Sequence, residues 1–137
     1  MRKNRLRFGK FIRDKRVHDS RELRQSDVAE ILGISTSLYG EIENNRRPPF
    51  DLEKMEIFAK LFGLTYEEKT MMYDLAAREN NEIPADLEDI LMYEEIGDTI
   101  RYLCRELQNG NFEEEDWKKL IREAEKEKDR RKGGANE

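Results

Sequence analysis

The sequence predicts an all-α protein, with a five-helix domain first and a smaller helical module after it. Three observations carry this. Apolar residues recur at three- and four-residue intervals from Phe8 to Ala124, and no segment alternates apolar and polar as a half-buried strand would. Ser35, Asp51 and Thr65 stand just ahead of such runs as helix-capping residues, and Gly33 and Gly63 stand where two of them stop. Apolar residues are 36% of the chain and charged residues 42%. That apolar share lies below the usual ~45–50%, so any core must be small and divided between units.

Phe8, Phe11 and Ile12, with Lys15, share one helical face and predict a first helix over roughly 5–17. The polar stretch His18 to Glu22 reads as a loop. Val28, Ala29, Ile31 and Leu32 predict a second helix from Gln25, closed by Gly33. Ser35 caps a third, with Leu38, Tyr39 and Ile42 as its apolar positions. Asn44-Asn45 ends it, because Asn is the non-glycine residue best suited to a positive φ. Arg46-Arg47-Pro48-Pro49 cannot continue a helix. Asp51 caps a fourth helix through Leu52, Met55, Phe58, Ala59 and Phe62, which Gly63 closes. Thr65 and Glu68 have capping-box spacing and start a fifth through Met71, Met72, Leu75 and Ala76.

Residues 79–85, Glu-Asn-Asn-Glu-Ile-Pro-Ala, are the best boundary in the chain. The expected division is 1–80, 81–126 and a disordered tail over 127–137. In the middle segment Leu87, Ile90 and Leu91 suggest a short helix. Ile96, Ile100, Leu103 and Leu107 then form an a/d-type stripe. Asn111 with Glu114 repeats the capping-box spacing, ahead of a last helix with Trp117, Leu120, Ile121 and Ala124 on one face. Cys104 and Trp117 read as packing residues.

The inventory of reactive residues closes much of enzyme space. One cysteine cannot form an intrachain disulfide, and one histidine, His18, supplies neither a His-rich metal site nor a nucleophilic triad. There is no Gly-rich phosphate loop. No cofactor, metal or catalytic group is expected. No run approaches the ~20 apolar residues that span a bilayer, and the charged start lacks a signal-peptide apolar core. A cytoplasmic protein is expected, without a membrane partner.

The net charge of −5 conceals an asymmetry. The first 24 residues hold 10 basic and 3 acidic residues, while residues 51–137 hold 14 basic and 24 acidic. Charges more than ~8 Å apart are largely screened at physiological salt. A basic end can therefore meet phosphates even on an acidic body.

The segment Leu23 to Arg47 carries the functional signal. Two short helices joined by a Gly-centred turn can cross steeply. Ala29 permits their close approach, Ile34 plugs the turn into the core, and Ile42 anchors the second helix. This leaves the short or polar Thr36, Ser37, Gly40 and Glu41 uncovered on a helix of the size that fits a major groove.

These residues resemble the Cro/repressor-type helix-turn-helix family, also called the xenobiotic-response-element type. The matching positions are Gln25, Val28, Ala29, Gly33, Ile34, Ser35, Ile42, Glu43, Arg46 and Arg47, and the likeness spans about residues 5–75. The resemblance implies a five-helix lambda-repressor-like domain that binds double-stranded DNA with the helix over 35–44 in the major groove. It places Gln25 against a phosphate and Thr36, Ser37, Leu38 and Glu41 toward bases. Leu38 would touch a thymine methyl, and Glu41 would accept from a cytosine amino group. Asn44, Arg46 and Arg47 fall on the loop that meets the backbone, and Arg24 and Ser35 complete the DNA-binding set. Three positions depart from the pattern. Asn45 replaces a glycine, Gly40 lies within the recognition helix, and the loop before Leu23 is about two residues longer.

For the C-terminal module two readings stand: it folds back on the first domain, or it pairs with a second copy. We expect a dimerisation module, with Ile96, Ile100, Leu103, Leu107 and Trp117 at the contact. The functional expectation is a transcription regulator, a repressor, binding its operator as a homodimer. The alternative is a protein-interaction module, such as an antitoxin or a phage-type inhibitor, whose acidic C-terminal part engages another protein.

Overall fold

The computed structural model describes residues 6–135, and among them every regular element is helical. The chain divides into two units, Met1–Asp89 and Ile90–Glu137.

The first unit contains α1 (Phe8–Val17), α2 (Gln25–Leu32), α3 (Thr36–Glu43), α4 (Leu52–Phe62) and α5 (Tyr66–Asn80), followed by a 3-10 turn over Ala85–Leu87. Three of the starts and two of the stops follow from local chemistry. Ser35 Oγ accepts from the Leu38 N–H at 3.0 Å, and Asp51 Oδ1 accepts from Lys54 at 3.0 Å. Thr65 and Glu68 form the reciprocal box, with bonds of 2.9 and 3.1 Å. Such a cap is worth about 1 kcal/mol. Gly33 and Gly63 close α2 and α4 at φ 78° and 58°, where a Cβ would be strained.

The core gathers one face from every helix. Phe8 and Ile12 of α1, Val28 and Ala29 of α2, Tyr39 and Ile42 of α3, Phe58 of α4 and Met72 of α5 are all buried. An aromatic chain runs through it, with Phe8 edge-on to Phe50 at 5.2 Å and Phe50 5.9 Å from Phe58. Several expectations are corrected. Helix α1 begins at Phe8, with Arg7 extended just ahead of it, and residue 5 lies outside the described residues. Ile31 turns outward and is 47% exposed, and Met71, beside the buried Met72, is 48% exposed.

The long α1–α2 loop is tied down. Asp19 accepts from the Arg21 side chain at 2.8 and 2.9 Å, and Arg21 Nη2 reaches the Leu61 carbonyl at 2.8 Å. The same guanidinium lies over the Phe62 ring. Held by Arg21, the Asp19 carboxyl titrates at about 2.

In the second unit, α6 spans Gly97–Asn109 and α7 spans Glu114–Ala135. The short helix expected around Leu87–Leu91 is instead the 3-10 turn and a π-helical turn over Asp89–Tyr93. The second capping box is also corrected. Asn111 takes a positive φ of 58°, and Asp116 accepts the Glu113 N–H at 2.9 Å, so the cap sits two residues later. The segment expected as a tail is helical through Ala135, and its turns are laced by Lys126–Glu123 and Arg131–Glu127 pairs at 3.6 and 2.9 Å. Cys104 is exposed, and Trp117 is 44% exposed, so neither is a packed core residue.

Candidate nucleic-acid interface

Helices α2 and α3 pack closely through the small Ala29, which is 1% exposed. The Ile34 N–H returns to the Ala29 carbonyl at 3.0 Å and closes the turn. This fixes which side of α3 looks out. Tyr39, Ile42 and Glu43 face the core, while Ser35, Thr36 and Ser37 are exposed at the start of the helix. Leu38 is half-buried and packs its side chain against the core, so only part of it remains for an outside contact.

One position on the buried face of α3 is a carboxylate. The Glu43 side chain has no exposed surface. Arg16 grips it with two bonds, Nε to Oε2 at 2.7 Å and Nη2 to Oε1 at 2.9 Å. Gln25 Nε2 donates a third to Oε1 at 2.9 Å. Burial pushes the Glu43 carboxyl up, but the bonds from Arg16 and Gln25 outweigh it and hold the group below the ordinary carboxylate range. The network ties α1, α2 and α3 together at one point. The Tyr39 hydroxyl is buried beside it with no hydrogen-bond partner among the described residues, and burial raises its pKa.

In the sequence Glu43 is one position of the family pattern, with no task of its own. The available signal was its position, four residues after Tyr39 on an apolar face. A buried carboxylate needs a cation, and Arg16 lies one turn beyond Ile12 on the buried face of α1.

Gln25 was expected to address a phosphate. In the structure its amide is half-buried and bound to Glu43. This also explains Gly40, because a Cβ there would come within 3.1 Å of Gln25 Oε1. The glycine leaves room for the amide that braces α3.

The loop after α3 is positioned by two further residues. Asn45 takes φ 60°, and its Oδ1 accepts the Gly9 N–H at 3.0 Å. Asparagine here does what a glycine could not, adding a side-chain bond to the left-handed backbone. Gly9 has its own reason, since a Cβ would lie 2.5 Å from the carbonyls of Ile42 and Glu43. Helix α1 thus touches the end of α3 backbone to backbone. Asn44, Arg46 and Arg47 are exposed on this loop, and Arg47 Nε stands 3.8 Å from Glu41 Oε1. Arg24 is 80% exposed ahead of α2, where its N–H is held by Asp27 at 2.8 Å.

Charge counting overstated the free positive field. Arg7 pairs with Glu79 at 2.6 Å, Arg16 with Glu43, and Lys15 with Glu68. Those carboxylates come from far along the chain, so a sequence window does not see them. Lys10, Arg21 and Arg24 also have acidic neighbours. The basic residues before Leu6 lie outside the described residues.

Residues 12–69 match the helix-turn-helix family model, from the middle of α1 into α5. The N-terminal unit is therefore a DNA-binding domain. It belongs to the Cro/repressor, or xenobiotic-response-element, type of helix-turn-helix found in transcription regulators. This is a regulatory family and not an enzyme family. No curated protein and no solved structure matches the chain. Among the described residues no helix is long and apolar enough to cross a membrane, and no cluster of three or more acidic, His or Cys side chains could hold a metal ion.

Proposed function

We propose that the chain is a sequence-specific repressor of the cytoplasm that binds its operator as a homodimer, with the start of α3 in the major groove. The observation that carries this is the two-sidedness of α3. Its inner face is fixed by Glu43, Arg16 and Gln25, and its outer tip presents Ser35, Thr36 and Ser37 to solvent. A rigid support under short polar side chains is what base reading requires. Glu41 reads a cytosine amino group once Arg47 turns from it to a phosphate. Arg24, Asn44 and Arg46 hold the backbone, and Gln25 serves mainly as the brace.

The test is fluorescence anisotropy on duplex DNA from upstream of the protein's own gene, against scrambled duplex, across salt. Selective binding by about 10³-fold or more, with a steep negative salt slope, supports the regulator. Absence of binding near ~50 mM salt overturns it. It would favour the second reading, an antitoxin-like or inhibitory interaction module, for which the exposed apolar side chains of the second unit speak.

A further inference from the structure

The second unit exposes most of its apolar side chains. Among its described residues Leu107 is the one large apolar side chain that is buried, whereas Ile96 and Leu103 are 49% and 47% exposed. Helix α7 is the extreme case. It runs for 22 residues, and Trp117, Leu120 and Ile121 are 44%, 43% and 56% exposed. Helices of this kind draw their stability from packing an apolar stripe more than from propensity. Here Trp117, Leu120, Ile121 and Ala124 stand at i, i+3, i+4 and i+7, so they share one face. No described residue of the second unit buries that face.

The charge along α7 says what covers it. Four carboxylates, Glu113 to Asp116, precede the stripe, and Arg130, Arg131 and Lys132 close the helix. Two such helices side by side in parallel would set four carboxylates against four, and three cations against three. Antiparallel, neither like-charged end meets its copy. The apolar stripe is also centred between Leu120 and Ile121. A two-fold axis there lays Trp117 on Ala124 of the other copy, large on small, and Leu120 on Ile121. It also sets Glu113 and Glu115 level with Lys128 and Lys126, and Glu114 and Asp116 level with Glu127 and Glu125, so half of the acidic end meets lysine where a parallel pair would set all four carboxylates against carboxylates. Acid-first, base-last order suits each helix's own dipole as well. The dipole does not call for an exposed tryptophan and two aliphatic residues in the middle.

We propose that α7 pairs antiparallel with α7 of a second copy, about a two-fold axis at Leu120–Ile121. This rests on the homodimer reading above and gives it a surface. It is an isologous interface, in which each residue and its counterpart exchange roles across the axis.

The experiment uses the full chain with Cys104→Ser, carrying a spin label at Glu114→Cys or, separately, at Lys132→Cys. Pulsed dipolar spectroscopy reads the distance between copies. With a 1.5 Å rise per residue, the antiparallel pair puts the 114 positions about 20 Å apart and the 132 positions about 35 Å apart. A parallel pair would put both near ~10 Å, the spacing of packed helices, and would overturn the proposal. Sedimentation velocity separates the remaining outcomes. A dimer mass without dipolar coupling overturns the α7 pairing and keeps the homodimer. A monomer mass at concentrations of about 100 µM overturns both. Leu120→Asp, at an exposed position, is expected to weaken the dimer at least ~30-fold while helix content stays unchanged by circular dichroism. Unchanged dimer strength in that variant would also overturn the pairing. The anisotropy titration is a separate readout, so loss of DNA binding is not confused with loss of pairing.

Discussion

Arg16 of α1 holds the fully buried Glu43 at the end of α3 with two hydrogen bonds of 2.7 and 2.9 Å. No other described carboxylate of the first unit is buried. Removing one partner strands the other charge inside the protein. Arg16→Met is therefore expected to lose about 3–5 kcal/mol in urea unfolding. Removing both charges with Arg16→Met/Glu43→Leu should recover part of that loss. A double variant no more stable than the single one would contradict this account.

The paired carboxylates set the response to acid. Arg7 holds Glu79 below the ordinary carboxylate range through its hydrogen bonds, and the Phe8 N–H adds to this. A carboxyl whose folded pKa is depressed stabilises the fold above its unfolded pKa of about 4.3. That stabilisation disappears as pH falls through the folded value. The urea midpoint of the wild-type chain should fall on acidification from pH ~5 to ~3. Glu79→Gln should start lower at neutral pH and fall less, so that the two curves converge in acid.

Two glycines should respond differently. Alanine at Gly9 drives a Cβ into two backbone carbonyls 2.5 Å away, which cannot step aside. A loss of about 1–3 kcal/mol is expected. Alanine at Gly40 gains roughly 1 kcal/mol of helix propensity, but it presses on the Gln25 amide at 3.1 Å. The net change should lie within ~0.5 kcal/mol, and denaturant midpoints would show both.

On DNA, the tip of α3 and the loop after it should separate cleanly. Arg46→Ala/Arg47→Ala is expected to flatten the salt slope by about two, one per lost phosphate contact, across all sequences. Thr36→Ala and Ser37→Ala should instead reduce selectivity at one or two base pairs by about 1–3 kcal/mol and leave the slope alone. Both residues are exposed, so thermal stability should hardly move.

Much of this was legible from spacing. The five helices, their caps at Ser35, Asp51 and Thr65, and the Gly33 turn follow from local chemistry, and local chemistry is what a sequence displays. The site was legible in outline, because an exposed, short-chained helix tip after that turn is itself a pattern. What escaped were relations between distant residues. Gly9 gave no hint of the carbonyls at the end of α3, and Glu68 and Glu79 lie far from the cations they neutralise. In the second unit the helical periods were visible. Their burial was not, because a stripe on Trp117 and Leu120 looks the same whether its partner is in the chain or on another.

Trp117 is the single tryptophan of the chain, and the entire DNA-binding unit has none. Ultraviolet emission excited at its indole band therefore comes from α7 alone. A half-exposed indole emits to the red, and covering it moves the emission to the blue. Unlabelled protein thus carries a native optical reporter of whatever settles on α7. Events at α3 leave its emission unchanged unless they reach the second unit.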